Sequence, residues 1–265
     1  MLRWPGPQTH KHNRGRLGVI SGGLTSTGAA RLAARAGLRA GAGLVRVLAP
    51  PEAIPALAPA LEAIMLSSFE NIETLEALAR PLDAIVIGPA AGLDARTRAN
   101  LTALSRTGAA LVVDADALSV FEGEAAALYA VLDQDDVLTP HEGEFERLFP
   151  GLLAAEGRER AVCSAAEQAN ATVVLKGHDS LIASPAGGLR VNRGGSPWLA
   201  TAGTGDVLAG LIGGLLAQGV PGFDAASAAV WMHARAADSF GPGLTAEDLP
   251  DLLPGVLRQL HEKRW

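Results

Sequence analysis

Short apolar runs alternate with helix-patterned stretches along most of this chain, and that alternation restricts the fold more than any other feature. Leu17-Gly18-Val19-Ile20-Ser21, Leu44-Val45-Arg46-Val47-Leu48, Ala84-Ile85-Val86-Ile87, Ala110-Leu111-Val112-Val113 and Thr172-Val173-Val174-Leu175 each read as a buried strand. Residues 63–66 and 136–139 add two shorter ones. Between them, residues 25–40, 52–60, 72–79, 94–106, 142–149 and 158–169 read as helices, with Thr25 or Ser26 capping the first and Asp94 the fourth. Strands joined through helices run parallel. Residues 17–175 therefore predict an α/β fold of three layers: one open, mostly parallel central sheet with helices on both faces. Residues 180–184 and 189–192 flank Pro185-Ala186-Gly187-Gly188 and predict a late antiparallel hairpin at the sheet edge. Helices at 207–217, 224–240 and 246–260 complete the chain. No linker or repeat divides it, so residues 1–265 are expected to form a single domain behind an irregular segment, 1–16.

Composition narrows the classes of function. Hydrophobic residues make up 48% of the chain, enough for a large core. Its 22 basic and 28 acidic residues give a net charge of −6, and no basic block exceeds the stretch from His10 to Arg16, so no nucleic acid partner is expected. The single cysteine, Cys163, excludes an internal disulfide and a cysteine-based zinc cluster. The N-terminal Met1-Leu2-Arg3-Trp4-Pro5 lacks the apolar run of a signal peptide. The longest apolar stretch, 207–217, is too short to span a bilayer, so no membrane is expected and the cytoplasm is the expected location.

In sheets of this kind ligands bind beyond the carboxyl ends of the strands. Gly22-Gly23, Gly41-Ala42-Gly43, Gly88-Pro89, Asp114-Ala115-Asp116, Thr139-Pro140-His141-Glu142 and Lys176-Gly177 are expected at that rim. They converge there with Thr201-Ala202-Gly203-Thr204-Gly205-Asp206, which opens an apolar helix. Glycines let that turn approach a ligand, and the helix start offers unpaired N–H groups and a positive dipole end to an anion. Asp206 reads either as a cap or as a carboxylate that takes a proton from a substrate hydroxyl. Lys176, one of three lysines, precedes Gly177, His178, Asp179 and Ser180; the stretch reads as a phosphate-binding turn or as a solvated one. Asp114 and Asp116 read as caps of a helix at 117–121, capping being the safer reading for at least one, as carboxylates that hold Mg²⁺ through water, or as substrate contacts. His141 reads as an N-cap or a ligand contact, and His233, in an alanine-rich helix, as a packed, hydrogen-bonded histidine.

Taken together, these motifs resemble the ADP-dependent NAD(P)H-hydrate dehydratases of the ribokinase-like superfamily, over about residues 10–260. The resemblance rests on Gly22-Gly23 with Thr27-Gly28-Ala29-Ala30, Arg39-Ala40-Gly41-Ala42-Gly43-Leu44-Val45 and Val113-Asp114-Ala115-Asp116-Ala117-Leu118. Leu138-Thr139-Pro140-His141-Glu142-Gly143-Glu144, Leu175-Lys176-Gly177 and Ala202-Gly203-Thr204-Gly205-Asp206-Val207-Leu208 complete it. The resemblance implies a ribokinase-like fold and a hydro-lyase. It would restore NADH or NADPH from the S epimer of its ring-hydrated form, with ADP (or ATP) as co-substrate, AMP and phosphate as products, and Mg²⁺. It implies substrate contacts at Ala42, Gly88, Gly92, His141 and Asp206, with Asp206 catalytic. It implies nucleotide contacts at Lys176, Gly177, His178, Asp179, Ser180, Gly203, Thr204 and Gly205. It also implies a homotetramer and, since no epimerase domain is seen here, either a separate epimerase as partner or a chain that is part of a longer bifunctional protein. Three positions depart from the family pattern: Ala90 within Gly88-Pro89-Ala90-Ala91-Gly92, His12 after Lys11, and Leu24 after Gly22-Gly23. A positive φ at position 90 would strain Ala90. Two other readings share the 203–206 motif: a kinase of a vitamin precursor such as hydroxymethylpyrimidine or hydroxyethylthiazole, and a non-catalytic nucleotide-binding protein.

Overall fold

A computed structural model describes residues 4–262; residues 1–3 and 263–265, the lysine at 263 among them, lie outside the described residues. In chain order the elements are β1 (Arg16–Ile20), α1 (Gly28–Ala40), β2 (Leu44–Ala49), α2 (Ile54–Leu57), β3 (Met65–Ser68), α3 (Ile72–Ala79), β4 (Ala84–Ile87), α4 (Ala95–Leu104), β5 (Ala110–Val113), α5 (Asp116–Ser119) and α6 (Ala125–Tyr129). There follow β6 (Val137–Leu138), α7 (Glu142–Leu148), α8 (Leu152–Glu156), α9 (Arg158–Ala169), β7 (Thr172–Leu175), β8 (Ser180–Ala183), β9 (Leu189–Asn192), α10 (Thr204–Ala217), α11 (Gly222–Phe240) and α12 (Leu249–Glu262).

One nine-stranded sheet runs in the order β3-β2-β1-β4-β5-β6-β7-β8-β9. Every pairing from β3 to β7 is parallel, and β7–β8 and β8–β9 are antiparallel, as the late hairpin requires. The strand order reverses between β1 and β4, which opens a crevice at their carboxyl ends. Side chains alternate between two cores. Val86 and Val112 face α1, α10, α11 and α12, while Ile85, Ile87, Leu111 and Val113 face α3, α4 and α9. That alternation is why each run of four apolar residues forms a strand buried on both sides.

Several boundaries differ from the sequence expectation. The first helix starts at Gly28, because Ser26 N–H donates to the Gly23 carbonyl (2.9 Å) and closes a turn over 23–26, so neither Thr25 nor Ser26 caps it. Residues 52–60 form one four-residue α-helix between two 3-10 turns, since Pro51, Pro55 and Pro59 each lack the N–H a continuous helix needs. Asp94 does cap α4, accepting from the N–H groups of Arg96 and Thr97. The last helix starts at Leu249, because Asp248 accepts from Thr245 N–H and Oγ1 (2.8 Å each) and holds the preceding turn. Within 1–16, residues Lys11–Arg14 form a 3-10 turn.

Helices α1 and α10 meet at backbone contact. A Cβ at Gly210 would stand 2.1 Å from the Ala33 carbonyl oxygen, and one at Gly214 would stand 2.6 Å from the Gly37 carbonyl oxygen. Gly210→Ala is therefore expected to destabilise the protein by about 1–3 kcal/mol through overpacking. Thermal unfolding would read this as a midpoint lowered by several degrees; an unchanged midpoint would contradict the close approach.

Candidate active site

Helix α10 begins beside the carboxyl ends of the parallel strands, and no side chain caps it. Its N-cap, Gly203, has φ +87°, and a Cβ there would press on Ala246 and Leu32 at 2.9 Å. The Thr204 hydroxyl is spent on the Leu199 and Thr201 carbonyls (2.9 and 3.1 Å), which braces the preceding turn. The N–H groups of the first turn are thus left for a ligand, with Asp206 in that same turn.

Three long-range partners surround this helix start. Lys176, at the end of β7, places Nζ 2.8 Å from Asp114 Oδ1 and 3.7 Å from Glu144 Oε2. Asp114 is 2% exposed and Glu144 6%, so the lysine neutralises two buried carboxylates. Burial works against the Lys176 charge, but Asp114, Glu144 and, further off, Asp206 overcome it and hold its pKa above the ordinary lysine value. Gly205 lies against the pair: a Cβ there would be 3.7 Å from Lys176 Nζ and 4.0 Å from Asp114 Oδ2. Asp206 is raised to about 6, first by burial and then by repulsion from Asp114 and Asp116, with Lys176 opposing. A carboxylate poised there is ionised at neutral pH and is still basic enough to take a proton.

The loop after β4 is locked to the loop after β5. Gly88 has φ +124°, and a Cβ there would lie 1.7 Å from the Asp114 carbonyl oxygen. Asp116 Oδ2 accepts the Gly92 N–H at 2.9 Å. Ala90, between them, has φ +52°, so the strain expected at that position is present. Ala115 carries more strain, at φ 50° and ψ −118°, and it stands between the two aspartates. Ala115→Gly is expected to raise stability by about 1 kcal/mol, because relieved strain exceeds the added backbone entropy. It is also expected to lower turnover, because the carboxylates on either side lose their fixed aim; equal or higher turnover would contradict that positioning role.

Two cavities flank this cluster. One, of about 360 Å³, is lined by Lys176, Gly177, His178, Ser180, Thr204 and Gly205, among others. The other, of about 250 Å³, occupies the β1/β4 crevice and is lined by Gly22, Gly23, Ser26, Ala90, Gly92 and Asn100, among others. Asp114, Asp116 and Asp206 lie between them, since Lys176 and Gly205 border the first cavity and the Asp116–Gly92 bond borders the second.

Most of the residues singled out from sequence therefore converge, but several do so in unexpected roles. Asp179 does not line the cavity; its carboxylate accepts the Gly194 N–H at 2.8 Å and ties the hairpin to the loop that follows it. Ser180 Oγ donates to the Gly177 carbonyl at 3.2 Å within its turn. His141 is the N-cap of α7, its Nδ1 accepting from the N–H groups of Gly143 (3.0 Å) and Glu144 (3.2 Å), and its Nε2 lies 3.3 Å from Glu144 Oε1. Nδ1 is thus spent on the cap, while Nε2 makes no hydrogen bond to Glu144 and, on a half-exposed ring, stays open to a ligand. The place expected for Ala42, at the carboxyl rim, is a correction. It precedes β2 rather than following a strand, so it lies at the amino rim, 3% exposed, beside residues 14–15 and the C-terminal end of α10. A 14-residue helix, about 20 Å long, separates that rim from Asp206. A second correction concerns Asp114 and Asp116: neither caps α5, whose N-cap Ala115 makes no side-chain bond, because Lys176 and the Gly92 N–H claim them. Among the described residues no group of three or more His, Cys, Asp or Glu side chains is placed to hold a metal ion. Sequence reasoning passed over Glu144 as a partner of Lys176, and Ser196 and His233 as cavity walls. His233 is buried as expected, but its Nε2 has no hydrogen-bond partner.

Comparison with known proteins places these features in context. Residues 17–254 match the family model described as NAD(P)H-hydrate dehydratase. An ADP-dependent (S)-NAD(P)H-hydrate dehydratase of Xanthomonas campestris is 35% identical over 97% of this chain and 92% of its own length. A bifunctional NAD(P)H-hydrate repair enzyme of Gloeobacter violaceus is 39% identical over 86% of this chain and 46% of its own length, so the chain spans about half of such bifunctional relatives. Among solved structures, an ADP/ATP-dependent NAD(P)H-hydrate dehydratase of Bacillus subtilis, co-crystallised with ATP and Mg²⁺, superposes with a TM-score of 0.82 at 26% identity, covering 98% of this chain and 94% of that one.

Proposed function

The chain belongs to the NAD(P)H-hydrate dehydratase family, and from that membership we propose that it dehydrates the S epimer of ring-hydrated NADH or NADPH at the expense of ADP. The observation that carries this reading is a basic carboxylate, Asp206, in the first turn of an uncapped helix between two cavities. The cavity beside Lys176 and Gly205 suits the nucleotide, whose outer phosphate meets the lysine and the helix N–H groups. The β1/β4 crevice suits the hydrated dinucleotide.

Hydroxide is a poor leaving group and phosphate a good one. Asp206 takes the proton of the ring hydroxyl, whose oxygen attacks the terminal phosphorus of ADP. The bridging P–O bond breaks and AMP leaves. Charge that develops on the phosphoryl oxygens is held by the N–H groups of 204–206 and by Lys176. The ring nitrogen lone pair then expels phosphate, and loss of a proton from the adjacent ring carbon restores the dihydronicotinamide. Magnesium bound to the nucleotide would neutralise phosphate charge, with Asp114 and Asp116 near enough to reach it through water.

The same reading carries a homotetramer and an epimerase, on this protein or another, that supplies the S epimer. Incubation of the purified protein with hydrated NADH, Mg²⁺ and ADP or ATP tests it. Ultraviolet absorbance of the reduced nicotinamide should recover, with one AMP (or ADP) and one phosphate released per turnover. A stable phosphate ester without recovered absorbance would make the protein a small-molecule kinase instead.

A further inference from the structure

The turn from Lys176 to Ser180 has three successive carbonyls tied back by three different donors. That of Gly177 accepts from Ser180 Oγ (3.2 Å), that of His178 from the Gly195 N–H (2.7 Å), and that of Asp179 from Arg158 Nη2 (3.0 Å). A carbonyl oxygen left free beside a phosphate repels it, so a turn whose carbonyls are occupied suits an anion. Of the three donors, only Arg158 carries a charge.

Arg158 is the first residue of α9, where a cation opposes the helix dipole. Its own helix gains nothing from that charge; its contacts are long-range. The guanidinium lies against Gly177, where a Cβ would stand 2.8 Å from Nη2. Nη1 pairs with Glu142, in the first turn of α7. One planar fork thus joins two elements, which a guanidinium can do and a lysine ammonium does less well. The side chains of Arg158 and Glu142 are 37% and 62% exposed, so their pair adds little to stability. Gly177 lines the cavity bordered by Lys176 and Gly205, and Arg158 does not.

We propose that Arg158 is a positioning residue for the nucleotide, holding the 176–180 turn, through the Asp179 carbonyl, in the shape that receives a phosphate. Its pair with Glu142 ties that turn to the helix capped by His141, alongside the bond from the Lys176 N–H to the Pro140 carbonyl (2.9 Å). This rests on the nucleotide reading above and adds to it a residue that stands outside the cavity. Arg158 acts on nucleotide affinity through the turn and takes no part in the proton transfer at Asp206.

Titration calorimetry with ADP, steady-state kinetics and thermal unfolding, on the wild type, Arg158→Ala, Arg158→Lys and Glu142→Gln, test this role. Arg158→Ala should weaken ADP binding and raise the KM for ADP about tenfold each, with kcat within about threefold of the wild type. Arg158→Lys keeps the charge without the fork and should recover part of the loss. Glu142→Gln should weaken ADP binding by about twofold to threefold. Without nucleotide, all three should unfold within about 2 °C of the wild type. A change in KM at constant kcat and constant midpoint separates positioning from a merely structural role. Unchanged ADP binding in Arg158→Ala would overturn the proposal. So would a midpoint lowered enough to account for the lost affinity, or a fall in kcat with KM unchanged. Wild-type protein that binds neither ADP nor ATP would instead fell the nucleotide reading, and the role of Arg158 with it.

Discussion

Asp206→Asn is expected to lower turnover by about a thousandfold or more while ADP binding stays within about threefold of the wild type. The amide keeps the shape and hydrogen-bonding reach of the side chain but cannot take the hydroxyl proton. Single-turnover rates and direct ADP binding, measured on the same preparation, separate the two effects; comparable turnover in the variant would remove Asp206 from the chemistry. The raised pKa gives a second signature. The base must be ionised, so the wild-type rate should rise with pH through about 6 and level off above it. Stability moves the other way. A carboxyl whose folded pKa is raised from 3.8 to about 6 favours the folded state fully below the lower value, and that favour is lost as pH rises through the higher one. Asp206→Asn should therefore unfold at a higher temperature than the wild type at pH 7, with the gap closing by about pH 4. Activity and stability trade against each other at this one position.

Lys176→Met is expected to be the most damaging single change for the fold. Asp114 and Glu144 are almost wholly buried and lie 2.8 and 3.7 Å from the lysine nitrogen. Removing the cation leaves two carboxylates unneutralised, which costs about 3–5 kcal/mol when one partner of a buried pair is lost. Nucleotide affinity should fall with it, since the same ammonium lines the cavity. Chemical denaturation of Lys176→Met, Asp114→Asn and the double variant separates these contributions. The double variant should recover much of the stability and none of the nucleotide affinity. Full stability in Lys176→Met alone would show that the two carboxylates do not need their partner.

Strands β4 and β5 were legible in sequence because each is a run of four apolar residues ended by glycine or a charge, and the sheet buries both of its faces. Helix starts were less legible. Thr25 and Ser26 look like caps, but a turn closed by Gly23 delays α1 to Gly28. At the site, Asp206 and the residues from Lys176 to Ser180 were legible as a glycine turn before an apolar helix and a lone internal lysine after a strand. The partner of Asp114 was not, because Lys176 is 62 positions away and only the completed sheet brings them together. The rim on which Ala42 stands was misjudged for a simple reason: Gly41 and Gly43 end a helix, and a helix end returns the chain to the amino rim of a parallel sheet. Ser196 and His233 carry no local signal at all. A serine in a glycine turn and a histidine in an alanine-rich helix are ordinary until the fold sets both residues on the wall of one cavity.

The glycine contact between α1 and α10 bears on how such a protein diverges. Gly37, Gly210 and Gly214 offer selection no side chain to trim or enlarge, and any added carbon meets main chain or a packed leucine. The helix that aims Asp206 is thus clamped at a joint where drift has almost no latitude. Divergence in substrate choice among descendants is left to loops such as 193–200, which can vary while the carboxylate stays where it is.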